Sequence, residues 1–224
     1  MQKIKTYKVK EIFGPTLQGE GSRAGMPCVF VRLSGCNKWN GKAKDKSKST
    51  CFFCDTDFLG GDKLTADEIA EKVHEIFSMS DYSNKSRRWV VVSGGEPLLQ
   101  VDPPLLRRLK YDWKTHVAIE TNGTVEVGRE LRSLIDHLTV SPKDKIDDLK
   151  MTEADDLKVL FPYINSSRSD DWRRGFVAKN YFLQPINFTN EINSKAVERG
   201  VEEVIRIGSP WKLSLQQHKI IGVE

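Results

Sequence analysis

No stretch of the chain approaches the roughly 20 consecutive apolar residues that a bilayer-crossing helix requires, and the start Met1-Gln2-Lys3-Ile4-Lys5 has no signal-peptide core. The expectation is a cytoplasmic protein without membrane association. Cysteine is scarce, with 4 in 224 residues, and without a secretory leader so few thiols do not argue for a disulfide framework. No repeat, low-complexity tract or Pro/Ser linker divides the chain. Its 224 residues suit a single domain spanning 1–224 with a sizeable core, yet fall short of the roughly 250 of a complete eight-fold barrel. Excess charge is also small, +4 overall, and it is local. Segment 37–50 carries Lys38, Lys42, Lys44, Lys46 and Lys48 against the single Asp45. A nucleic-acid surface spreads basic residues over several elements. A solvated lysine loop is the simpler reading here, with an RNA or protein contact as its alternative.

The few cysteines fall in a pattern. Cys36, Cys51 and Cys54 read C-x14-C-x2-C, and three thiolates can hold three irons of a four-iron cluster while leaving the fourth iron open. Zinc is the alternative, because Cys51-Phe52-Phe53-Cys54 also fits a zinc knuckle, with Cys28 or a histidine as fourth ligand. Cys28, inside Cys28-Val29-Phe30-Val31, reads as a buried small hydrophobe. Downstream, Ser93-Gly94-Gly95-Glu96-Pro97 closes an apolar run. On its own this segment is an ordinary turn or a place where Gly94 and Gly95 let a ligand approach the backbone.

Short apolar runs recur: Val29–Leu33, Trp89–Val92, His116–Ile119, Leu138–Val140, Leu157–Leu160 and Tyr181–Leu183. Continuous apolar strands separated by helical patterns predict a parallel sheet buried on both faces. Thr65-Ala66-Asp67-Glu68 is a capping box opening a helix with Ile69, Val73, Ile76 and Phe77 on one face. Several runs end in small or polar clusters, namely Ser34-Gly35-Cys36, Ser93–Glu96, Glu120-Thr121-Asn122-Gly123, Ser141-Pro142-Lys143 and Gln184–Asn187. In a parallel barrel such clusters gather at the carboxyl-terminal rim, where active sites form. The segment from Trp211 to His218 reads as a final strand emerging at that rim. The fold class is thus α/β, a partial barrel of mostly parallel strands.

With these motifs the chain resembles the radical S-adenosylmethionine superfamily and, within it, the 7-carboxy-7-deazaguanine synthase family. The resemblance runs from Glu11-Ile12-Phe13 through Leu17-Gln18-Gly19-Glu20-Gly21 to His218-Lys219. Most enzymes of the superfamily space their cysteines C-x3-C-x2-C. This chain departs as a subset of the synthase family does, with the lysine-rich insertion and a Cys-Asn-x-Trp start, here Cys36-Asn37-Lys38-Trp39.

The resemblance implies a radical core with reduced helix content and a carbon-nitrogen lyase. Its reaction is the ring contraction of 6-carboxy-5,6,7,8-tetrahydropterin to 7-carboxy-7-deazaguanine with release of ammonia, in queuosine or other 7-deazapurine biosynthesis. It implies a 4Fe-4S cluster on Cys36, Cys51 and Cys54, S-adenosylmethionine on the open iron, and Mg2+ at Thr56. S-adenosylmethionine is expected against Phe53, Cys54, Asp55, Gly94, Gly95, Glu96, Ser141, Pro142, Lys143, Gln184, Pro185, Ile186 and Asn187. The pterin is expected against Leu17, Gln18, Gly19, Glu20, Arg32, Ser93, His218 and the terminal Glu224. Arg32 suits its carboxylate, being a planar fork. An electron donor such as flavodoxin or ferredoxin and a homodimer are implied as well.

Overall fold

The computed structural model describes residues 4–79, 88–111, 114–143, 146–162, 169–187 and 193–223, the side chains of 169 and 170 excepted. Alternate residues of a strand go to opposite faces, and here the two faces differ in chemistry. Val29, Val31 and Leu33 of β2 (Pro27–Leu33) lie in the main core. With them are Val90 and Val92 of β4 (Trp89–Gly94) and Val117 and Ile119 of β5 (His116–Thr121). Leu138 and Val140 of β6 (His137–Val140) and Leu157 and Val159 of β7 (Glu153–Phe161) complete the apolar face. The residues between them, Arg32, Ser93, Glu120 and Lys158, line a cavity on the other face, as does Gln184 of β8 (Val177–Pro185).

Helices cover the apolar side. Ile69, Val73 and Phe77 of α1 (Ala66–Met79) and Leu105, Leu106 and Leu109 of α2 (Pro103–Tyr111) join the core, each contributing about 1.5–3 kcal/mol by burial. The capping box of α1 forms as the sequence predicts. Thr65 N donates to Glu68 Oε2 at 2.7 Å, and Glu68 N donates back to Thr65 Oγ1 at 3.2 Å. Further along lie α3 (Arg129–Ser133), α4 (Ser169–Gly175) and α5 (Ser194–Ile207).

The strands form one nine-stranded sheet in the order β3-β1-β2-β4-β5-β6-β7-β8-β9. From β2 to β9 (Trp211–Leu213) every neighbouring pair is parallel. At the other edge β1 (Tyr7–Leu17) and β3 (Asp62–Leu64) are added antiparallel. The sheet ends at β3 and β9 and does not close, which is the partial, mostly parallel barrel that was expected. Among the described residues no helix is long and apolar enough to cross a membrane.

One expected element is corrected. The strand read over 211–218 stops at Leu213, and Gln217–Ile221 is a short helix, α6. Its partner β8 ends at Pro185, which has no N–H to extend a ladder. Ser214 N still reaches Leu183 O at 2.9 Å, after which Gln217 N turns to Gly19 O at 2.9 Å.

Candidate active site

The carboxyl ends of the parallel strands open into one cavity of about 740 Å³. Cys36, Cys51 and Cys54 all line it. Cys36 follows β2 after Ser34 and Gly35, and Cys51 and Cys54 share a tight turn closed by Cys54 N to Cys51 O at 3.0 Å. A hydrogen bond from the Cys51 thiol draws the Cys54 thiol down to about 6 and pushes Cys51 up, and the Lys143 ammonium favours thiolate at both. Cys28 belongs elsewhere. It is 1% exposed, packed with Val91 and Ala118, and burial pushes its thiol up to about 12. It is the small buried hydrophobe the sequence suggested, and unlike the other three cysteines it does not line the cavity.

The lysine-rich insertion folds against this cysteine turn. Its Ala43–Lys48 stretch is a 3-10 turn. Trp39 packs with Cys51, Phe53 and Cys54 and meets Phe58 edge-on at 5.4 Å, while its indole N–H donates to Lys42 O at 3.2 Å. Lys46 sits over the Trp39 ring at 5.4 Å.

Ser93, Gly94 and Gly95 line the cavity beside the cysteines. The two glycines are required for a reason the sequence did not reveal. A side chain at Gly94 or Gly95 would run into the backbone of Leu33 or Gly35, because the β4 loop lies directly on the β2 loop, with Glu96 N donating to Gly35 O at 2.9 Å. Glu96, expected against S-adenosylmethionine, lies deeper than the residues around it. It is 0% exposed and does not line the cavity. Its carboxylate accepts from Thr121 Oγ1 at 2.7 Å, Asn122 N at 2.7 Å and Leu98 N at 3.1 Å. In this arrangement the carboxylate joins two loops, its own after β4 and the one after β5. Pro142 is likewise buried behind Ser141 and Lys143, which do line the cavity.

One wall is built from the segment after β1. Gln18 Nε2 donates to Glu120 Oε1 at 3.0 Å, and Ser93 Oγ donates to Glu120 Oε2 at 3.3 Å. Arg32 Nε is held by Glu11 at 2.6 Å, and the guanidinium lies over Phe13, which stacks on Phe30 at 5.1 Å. The ion pair considered for Arg32 therefore exists, and the residue still faces the cavity. Leu17, Gly19 and Glu20 line the same wall. Burial alone would raise the Glu20 carboxyl, but the Lys158 charge and hydrogen bond, with help from Gln216, hold it at about 2.

His218, in the first turn of α6, meets Gly19 so closely that a methyl group there would strike its ring. Burial pushes the His218 imidazole down, against the pull of Glu20. Gly222 and Val223 also line the cavity, whereas Glu224 lies outside the described residues.

The opposite wall carries Phe53, Asp55, Thr56, Gln184, Pro185, Ile186 and Asn187. Asn187 Nδ2 donates to Gln216 Oε1 at 2.8 Å, and Lys219 Nζ donates to Asp55 Oδ2 at 2.6 Å. Sequence reasoning left Glu120, Lys158, Gln216 and Lys219 without roles, yet all four line the cavity and hold the residues that were singled out. Lys158 did leave a signal, a charge inside the apolar run Leu157–Leu160.

A partial barrel with three thiols at its carboxyl-terminal mouth agrees with the radical S-adenosylmethionine class that the resemblance implies. No family model matches the chain. Curated relatives do. The chain is 38% identical over 222 residues to a 7-carboxy-7-deazaguanine synthase of Burkholderia multivorans, covering 97% of this chain and 99% of that protein. It is 36% identical over 224 residues to the synthase of Bradyrhizobium diazoefficiens and 38% identical over 231 residues to that of Nitratidesulfovibrio vulgaris, with the same coverage. Among solved structures, QueE from Escherichia coli shares the fold, with a TM-score of 0.66 at 24% identity over 95% of each chain. The chain belongs to the 7-carboxy-7-deazaguanine synthase family.

Proposed function

We propose that the cavity converts 6-carboxy-5,6,7,8-tetrahydropterin to 7-carboxy-7-deazaguanine with loss of ammonia, within 7-deazapurine biosynthesis. The observation that carries this reading is convergence. Three thiols, the Arg32 fork, carboxylates that include Glu20 and Asp55, and the Thr56 hydroxyl, from segments far apart in sequence, line one cavity. Cys36, Cys51 and Cys54 would hold a 4Fe-4S cluster, and the donor set fits. There are three soft sulfur ligands, one already drawn toward thiolate, and the remaining cysteine is packed with Val91 and Ala118 outside the cavity lining. When bound, such a cluster with S-adenosylmethionine supplies the radical chemistry that removes a hydrogen atom from the substrate.

The chain's own residues bind and orient. Phe53, Asp55, Gly94, Gly95, Ser141, Lys143 and Gln184–Asn187 form the S-adenosylmethionine side, with Lys143 Nζ donating to Ser141 Oγ at 2.8 Å. Arg32, its Nε committed to Glu11, offers its terminal N–H groups to the pterin carboxylate. Gln18, Glu20 and His218 address the hydrogen-bonding ring edge, and the Thr56 hydroxyl would supply one oxygen ligand to Mg2+, which rarely has an all-protein cage. Stacked Phe13 and Phe30 keep water from that wall. The protein works as a single cytoplasmic domain, as a homodimer, with a flavodoxin or ferredoxin as electron donor. Anaerobic reconstitution followed by turnover with the pterin and S-adenosylmethionine, read by mass spectrometry, tests the proposal. Formation of 7-carboxy-7-deazaguanine and ammonia is expected, and a reconstituted protein that cleaves S-adenosylmethionine without consuming the pterin refutes it.

A further inference from the structure

An ammonium group inside a buried strand needs an answering charge, since Lys is almost never fully buried unpaired. Lys158 lies in β7 between Leu157 and Val159, its side chain 6% exposed, and it faces the cavity. Its Nζ donates to Oε2 of Glu20, and the other oxygen, Oε1, accepts from Gln216 Nε2 at 2.9 Å. Two donors, from β7 and from the residue before α6, thus fix the carboxylate from both sides. Glu120 of β5 and Asp156 of β7 also act on the Lys158 charge, and His218 of α6 acts on Glu20. The wall is rich in acid, with one buried cation set into it.

We propose that Lys158 is a positioning residue for substrate recognition. It holds Glu20 as an aimed carboxylate that accepts N–H donors from the amino edge of the pterin. This rests on the reading of the site given above. A carboxylate has about four lone-pair sites, so Glu20 keeps acceptors for the substrate after Lys158 and Gln216 have taken theirs. Gln216 orients the group but brings no charge. Without Lys158, burial and the neighbouring acids favour the protonated form, and a protonated Glu20 turns a donor toward substrate donors. A pair kept only for stability would behave differently, because a buried ion pair can be exchanged for neutral residues at little cost.

The test is pterin KM and kcat for wild type, Lys158→Met, Lys158→Arg and the double variant Glu20→Gln/Lys158→Met. Measurements run from pH 7 to 9, above the range in which His218 takes up a proton. Lys158→Met should raise KM at pH 7 by about tenfold or more, the size of a lost charged hydrogen bond, with kcat changed little. The defect should narrow toward pH 9 as Glu20 ionises. Lys158→Arg should bring KM back to within a few-fold of wild type. The double variant should melt near the wild-type temperature and keep a raised KM that does not vary with pH. A wild-type KM in Lys158→Met overturns the proposal, as does a raised KM that is flat with pH and unrelieved by arginine. Should Lys158→Met not fold, a wild-type KM in the double variant overturns it equally. A wild-type enzyme that does not turn over the pterin sinks the function reading itself, a result distinct from any of these.

Discussion

Gly19→Ala makes the packing of the substrate wall measurable. Gly19 has no space for a side chain, because the His218 ring fills it, while Gly19 O accepts from Gln217 N at 2.9 Å. Of the two sides of this contact, α6 is the softer. It is five residues long, Gln217–Ile221, with none of them buried, and Ile220 and Ile221 are each 55% exposed. The segment around Gly19 is anchored instead, by Gln18 to Glu120 and by Glu20 to Lys158 and Gln216. An added methyl should therefore displace His218 and leave the barrel in place.

Overpacking of this kind costs about 1–3 kcal/mol, and if the displacement is felt at the substrate, pterin affinity falls by about 5- to 150-fold. Equilibrium pterin binding to the reconstituted protein reads this directly, while cluster absorbance and uncoupled cleavage of S-adenosylmethionine should stay near wild type. His218→Ala should weaken binding by a similar amount, about 1–3 kcal/mol for a hydrogen bond whose partner stays buried. Because both changes remove the same ring from the same wall, Gly19→Ala should add little in a His218→Ala background. Unchanged affinity in Gly19→Ala, or losses that sum in the double variant, would refute the reasoning.

Cys36→Ala, Cys51→Ala and Cys54→Ala should each abolish cluster assembly by visible absorption and electron paramagnetic resonance, whereas Cys28→Ala, packed apart with Val91 and Ala118, should leave it intact. Converting Lys42, Lys44, Lys46 and Lys48 to Ser should keep turnover with a chemical reductant within a few-fold but slow turnover with a protein donor, most visibly at low salt. Equal large losses with both reductants would show instead that the loop shapes the site. Glu20 titrates at about 2 against an ordinary 4.5, so its contribution to stability is complete above pH 4.5 and is lost as pH falls toward 2. Asp156 is also held below its ordinary 3.8, burial being outweighed by the His137 imidazole 3.4 Å away and a hydrogen bond from Ser22 N at 2.8 Å. Glu20→Gln should therefore flatten the dependence of denaturant stability on pH between 4.5 and 2, and an acid limb as steep as wild type would contradict the assignment.

The parallel strands were legible because a strand buried on both faces must be apolar almost throughout, and Val29–Leu33, Trp89–Val92 and His116–Ile119 are. The antiparallel edge was not. In β1, Lys8, Lys10 and Glu11 interrupt the apolar positions, as an edge facing water on one side permits. The end of the final strand escaped for a related reason, since its length was set by Pro185 of a neighbouring strand and by Gly19, both distant in sequence. Neither partner can be read from the residues between Trp211 and His218.

The site divides along the same line. Cys36, Cys51 and Cys54 were found because their chemistry is written in the residue and its spacing, Arg32 and Glu20 through the family resemblance, and all five line the cavity. Gln216 carries no such mark. It matters because it joins Glu20, 196 residues away, to Asn187 and comes within 3.3 Å of Asp55, a role that exists only once β8 and α6 meet the loop after β1. Glu96 shows the converse. Its motif marked it as a ligand group, but Gly94, at a φ of 140°, helps turn the chain so that the carboxylate enters the interior, where Thr121, Asn122 and Leu98 complete its hydrogen bonds. A side chain that a local motif presents as a ligand group for S-adenosylmethionine can thus also tie the scaffold together, while a neutral amide outside any motif joins the two walls of the cavity.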